Sequence, residues 1–186
     1  INNVHYAIES GVSMNIAGGT HHAFSDRAEA FCFFNDQAIA AQYVLDQGIA
    51  QRVAIIDLDV HQGNGTAEIF STVPEVFTFS MHGKANYPFK KEQSDLDVEL
   101  ESSISDEAYL QLLEQHLKEI HQKFEPQFIF YLSGVDILES DKLGKLNLSI
   151  QTCKRRDALV LSCKTPSNSS SNIHGRGLLT STQDNR

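Results

Sequence analysis

The segment Asp57-Leu58-Asp59-Val60-His61 sets two carboxylates and an imidazole at alternate positions, and alternate residues of an extended chain share a face. Oxygen and nitrogen donors of this kind suit zinc or iron, and Gly63 and Gly65 permit a tight turn just afterwards. An acidic cluster at a strand end can equally cap the helix that follows. The segment has two companions. Gly18-Gly19-Thr20-His21-His22-Ala23 puts adjacent histidines after a glycine pair. Imidazoles there either decorate a surface loop or take and return a proton beside a metal, each tautomer fixed by a carboxylate or amide. Ser133 to Gly144 adds Asp136, Glu139 and Asp141 after a further apolar run. Polar residues delivered to one edge by three strands point to metal-assisted hydrolysis.

The elements that must position these groups are legible as short apolar runs separated by helical patterns. Residues 53–58, 76–81 and 128–132 are β-branched or aromatic runs bounded by polar residues, as strands buried on both faces are, and 158–162 reads as a fourth. Residues 35–47 are alanine-rich, and 105–123 place Leu110, Leu113, Leu117 and Ile120 at helical spacing behind a Ser105 start. Strands alternating with helices predict an α/β fold, a parallel sheet with helices on both faces. Ligands of such sheets bind beyond the carboxyl ends of the strands.

The chain has 186 residues, 41% of them hydrophobic and 21% charged, with a formal net charge of -9. That composition describes one globular domain and argues against a nucleic-acid groove. An acidic surface serves solubility first and a cationic partner, a lysine-rich peptide or polyamine, second. No apolar run approaches the roughly 20 residues of a spanning helix, so no membrane is expected. Three unpatterned cysteines suit a reducing, intracellular, cytoplasmic setting. Cys32 reads as buried and inert, His116 and His121 as solvated on a helix, and Lys154, Arg155 and Arg156 as a solvated helix end. His5 and His174 have no evident partner, and His82 is ambiguous. The first residue is Ile1, which reads as a start inside something longer. After Thr165 the chain turns rich in Ser, Thr and Asn and loses its aromatics, so residues 1–164 are expected to form a partial domain and 165–186 a tail without core structure.

Taken together, Gly18–Ala23, Phe31–Asp36, Asp57–Gly65, Ser80–Phe89 and Gly134–Gly144 resemble the zinc-dependent histone deacetylase family, with its acetoin-utilisation and acetylpolyamine amidohydrolase relatives on the arginase-like fold. The likeness is strongest to class IV and bacterial members. It implies Asp59, His61 and Asp141 as zinc ligands, with iron as an alternative metal. It implies His21 and His22 as the histidines flanking the catalytic water, oriented by Asp57 and Asn64. It implies a structural potassium site at Asp57, Asp59, His61, Ser80 and Met81, and an acyl-lysine channel with Phe31 as a wall and Ala30 where many members have Gly. The implied substrates are an acetyl-lysine peptide, a longer acyl-lysine or an acetylated polyamine; the runner-up is a catalytically dead metal-binding fragment. The family's oxyanion-binding Tyr, in a Gly-Gly-Gly-Tyr segment, has no counterpart in the sequence. One permitted codon choice for Ser167 to Arg186, read one nucleotide out of frame, spells a hydrophobic strand followed by Gly-Gly-Gly-Tyr. A frameshifted tail is therefore expected.

Overall fold

The protein is described by a computed structural model covering residues 1–16 and 18–163, together with the backbone of 176–180. The chain opens with helix α1 (Asn2–Ser10). Gly11, at φ 83, closes it by returning its N–H to the Ala7 carbonyl, a left-handed conformation that glycine adopts without a Cβ penalty. Strand β1 (Val12–Asn15) follows, then α2 (Asp36–Asp46), β2 (Val53–Asp57), α3 (Asn64–Phe70), β3 (Val76–Gly83) and β4 (Leu96–Leu100). The order continues with α4 (Asp106–Lys123), β5 (Phe128–Leu132), α5 (Ile150–Ser162) and β6 (Arg176–Thr180). Asn35, Ser105 and Ser149 each accept a backbone N–H three residues on, so the three longest helices start on side-chain caps.

The six strands form one parallel sheet in the order β1-β6-β5-β2-β3-β4. Every residue of β2 and of β5 is buried, and the alternation of their side chains builds two cores. Ala54, Ile56, Ile129 and Tyr131 face α4 and α5 through Leu113, Leu117, Ile120 and Val160. Val53, Ile55, Phe128 and Phe130 face α1, α2 and α3 through Val4, Ala41, Val44 and Phe70. The parallel sheet with helices on both faces is as expected. No helix among the described residues is long and apolar enough to cross a membrane.

Three expectations fail. Residues 158–162 are the last turns of α5, not a strand; a short apolar run has no periodicity of its own, and the Ser149 cap sets a helical frame in which Cys153, Arg156 and Val160 share the buried side. Arg156 is correspondingly not solvated but fully buried, its Nη1 donating to the carbonyls of Gly134 (2.6 Å) and Leu58 (3.3 Å). Finally, residues 176–180 of the tail expected to lack structure form β6, paired with β1 on one side and β5 on the other. Strand pairing satisfies backbone donors and acceptors whatever side chains they carry, so a polar composition does not forbid it. The remainder of the tail, including His174, lies outside the described residues.

Candidate active site

The carboxyl ends of β1, β2 and β5 deliver the polar residues. Beyond β2, Asp59 Oδ1 accepts from the backbone N–H (2.9 Å) and from Nδ1 (3.0 Å) of His61. Beyond β5, Asp136 Oδ1 accepts the Val60 N–H at 3.0 Å while its Oδ2 lies 3.0 Å from His61 Nδ1. One donor atom from each of Asp59, His61 and Asp136 falls within 4.8 Å of the others. Two carboxylates and an imidazole so gathered fit the three protein ligands of a catalytic zinc with a fourth position left open. Their charge also asks for a cation: His61 is pushed up to about 10, burial being outweighed by Asp136 and Asp59. Asp136 is raised to about 7 by burial and by the Asp59 charge. A bound dication would supply the positive charge that protons otherwise supply there.

Asp141 is not part of this group, which corrects the expected ligand set. Its Oδ1 instead accepts the N–H groups of Leu143 (2.7 Å) and Gly144 (2.6 Å), a local turn. Both carboxylates follow the same strand, which passes Asp59 closely at Gly134. A Cβ there would lie 2.5 Å from Asp59 Oδ2, so only glycine lets the chain cross close enough for Asp136 to join Asp59.

The histidine loop is held from two sides. The Asp36 carboxylate, in the first turn of α2, receives the N–H groups of Gly19 (3.2 Å) and Thr20 (3.1 Å) and the Thr20 hydroxyl (3.0 Å). The start of α3 closes from the other side: Thr66 N–H donates to His21 O at 3.2 Å, and a Cβ on Gly65 would sit 2.2 Å from Ala23 O. His21 Nδ1 then meets Asp57 Oδ2 at 2.6 Å and His22 Nδ1 meets Asn64 Oδ1 at 2.6 Å, the orienting pairs that the resemblance implied. The two rings lie 4.1 Å apart. Burial alone would depress His21, but Asp57 and Asp59 outweigh it and lift the group to about 9. Burial and the neighbouring His21 charge push His22 down to about 3. The two environments push neighbouring imidazoles in opposite directions, the kind of difference that sorts proton acceptors from proton donors.

Residues 1–175 match the family described as the histone deacetylase domain. The chain belongs to the histone deacetylase family. It is 49% identical over 156 residues to an uncharacterised protein of Picosynechococcus, covering 84% of this chain and 52% of that one. It is 34% identical to histone deacetylase 2 of Arabidopsis thaliana (83% and 41% covered) and 35% identical to acetoin utilization protein AcuC of Staphylococcus aureus (78% and 41%). Among solved structures, an HDAC homologue from Aquifex aeolicus superposes with TM-score 0.78 at 29% identity, covering 95% of this chain and 50% of that one. The same values hold for an HDAC homologue complexed with SAHA. The chain spans about half the length of these relatives. The family is one of zinc-dependent, deacetylase-type hydrolases on the arginase-like fold.

Around the site of this deacetylase-family chain, Ala30 and Phe31 adopt positive φ angles of 45° and 68°, which leaves the Phe31 ring wholly exposed. Phe89 is exposed as well. Ser80 and Met81 are buried on β3, with Ser80 the register partner of Asp57. His82 is buried with Nδ1 3.0 Å from the Ser80 hydroxyl, and His5 Nε2 meets the Tyr43 hydroxyl at 3.0 Å. Cys32 is buried, as expected. Sequence reasoning missed Asp36, Glu29 and Tyr87. An acidic residue opening a helix was the available sign for Asp36, whereas nothing local marks the other two.

Proposed function

We propose that the chain carries the core of a zinc-dependent deacetylase site that hydrolyses acetylated or longer acylated amines, with the lysine side chain as the leading substrate. The gathering of Asp59, His61 and Asp136 beside the His21–Asp57 and His22–Asn64 pairs carries this reading. Asp59, His61 and Asp136 would hold the zinc, which when bound supplies a Lewis acid for the amide carbonyl and a more acidic water. His22, neutral and bonded through Nδ1 to Asn64, takes the proton of the attacking water. His21, paired through Nδ1 with Asp57, would return a proton to the departing amine. Phe31 would flank the acyl chain, with Ala30 narrowing the approach. Asp57, Asp59 and His61, at and beyond the end of β2, with Ser80 and Met81 of the adjacent strand β3, would hold the structural potassium.

The test is zinc-dependent deacetylation of a fluorogenic acetyl-lysine peptide, run beside Asp59→Ala. Turnover that vanishes in the variant supports the site; turnover that survives it refutes the assignment. Running longer acyl-lysines and acetylated polyamines in parallel, with iron in place of zinc, ranks the substrates and metals. A second reading, a chain that binds metal without turnover, is favoured by residues 167–186, which spell no Gly-Gly-Gly-Tyr. Loss of an oxyanion donor costs on the order of a hundredfold to a thousandfold in rate. One zinc bound per chain with no turnover would establish that reading. Sequencing the encoding DNA decides the frameshift: codons that cannot yield Gly-Gly-Gly-Tyr in another frame eliminate it.

A further inference from the structure

Asn64 has a carboxylate behind it. Its Nδ2 donates to Glu29 Oε1 at 3.0 Å while its Oδ1 faces His22 Nδ1 at 2.6 Å. A primary amide offers one accepting end and one donating end, and a carboxylate can only accept. Glu29 therefore dictates which way the Asn64 amide points: nitrogen toward Glu29, oxygen toward His22. An amide oxygen in turn accepts only from a protonated Nδ1, leaving Nε2 as the free base. Glu29 is itself fixed. The Tyr87 hydroxyl donates to the same Oε1, Arg27 Nε approaches Oε2 at 3.4 Å, and the Tyr87 ring stands edge-on to His22 with centroids 5.1 Å apart.

We infer that Glu29, held by Tyr87, is a positioning residue that sets the His22 tautomer through the Asn64 amide. As a statement about catalysis this rests on the deacetylase reading, but the tautomer is a property of the chain whether or not it turns over. The same geometry makes positions 29 and 64 interdependent. An Asp at 64 would bring a second carboxylate against Glu29, and like charges at hydrogen-bond distance repel. Asn at 64 and Glu at 29 thus belong together.

The experiment is two-bond proton–nitrogen NMR on the chain with ring-15N histidine, with and without added zinc. The expected wild-type spectrum shows His22 with its proton on Nδ1 and an unprotonated Nε2. Glu29→Ala should convert that single tautomer to a mixture, and Glu29→Gln, whose side-chain oxygen can still accept, should restore most of it. Glu29 is partly exposed, so both variants are expected to fold. In turnover, Asn64→Asp should lower kcat by about tenfold or more with little change in KM, the scale seen when a residue behind a catalytic ligand is lost. Adding Glu29→Gln to Asn64→Asp should recover most of that loss, a coupling that two independent structural defects would not produce. A wild-type His22 protonated on Nε2, or a tautomer indifferent to Glu29→Ala, overturns the inference. A tautomer that responds as expected in a chain without turnover supports it while refuting the deacetylase reading.

Discussion

Asp136 and Asp141 lie five positions apart on one loop, yet only Asp136 reaches Asp59 and His61. Asp136→Asn is accordingly expected to weaken zinc binding by more than about a hundredfold, since even residues behind a ligand cost tenfold to a hundredfold. Asp141→Ala should leave zinc affinity unchanged and cost about 1 kcal/mol of stability through its lost turn bonds. Competition titration against a zinc chelator separates the two; equal losses would restore Asp141 to the ligand set. His82 makes a second case at this scale. Burial pushes it down from 6.5 to about 4, so between those values the unfolded chain binds a proton that the folded chain refuses, and stability falls as pH drops. The stabilisation is complete above about pH 6.5, and roughly 2 kcal/mol of it is gone at pH 5. Urea denaturation at pH 7 and pH 5 should show that much less acid sensitivity in His82→Gln than in the parent.

Between elements, Arg156 of α5 joins the two strand ends that carry Asp59 and Asp136. Its Nη1 reaches Leu58 O, next to Asp59, and Gly134 O, two residues before Asp136. The Tyr131 hydroxyl and Arg156 Nε both bind Asp157 Oδ1, at 2.6 and 2.9 Å. Arg156→Met keeps the bulk but strips two carbonyls of a charged donor in a dry environment, so a loss of about 3 kcal/mol is expected by urea denaturation; a loss under about 1 kcal/mol would mean that the carbonyls find other partners. This helix is also where sequence and structure part. Residues 35–47 and 105–123 declare themselves by alanine content, by leucine spacing and by caps, because a helix on the surface of a sheet must alternate buried and exposed faces. Helix α5 buries an arginine among apolar neighbours, which erases that alternation and leaves a basic run that looks solvated.

The whole molecule depends on a sheet whose strands are far apart in the chain. β6 stands between β1 and β5, with Gly177 opposite both Val12 and Ile129, so the strand carrying the histidine loop is joined to the rest of the sheet through it. Gly177→Pro removes a backbone donor in an interior strand and is expected to cost about 3 kcal/mol or more. Thermal denaturation followed by circular dichroism measures it, and an unchanged midpoint would mean that β1 does not rely on this pairing. The strands at 53–58, 76–81 and 128–132 and the helices at 35–47 and 105–123 were legible in the sequence, as was the cluster of Asp57, Asp59 and His61 beyond β2, because each is a pattern within a few neighbouring residues. Local pattern could not choose Asp136 over Asp141, bury Arg156 beneath the ends of β2 and β5, set Glu29 behind Asn64, or bring Asp36 to the histidine loop. Those pairs lie from 16 to 98 residues apart, and such distances are set only when packed strands and close glycine crossings bring the segments together.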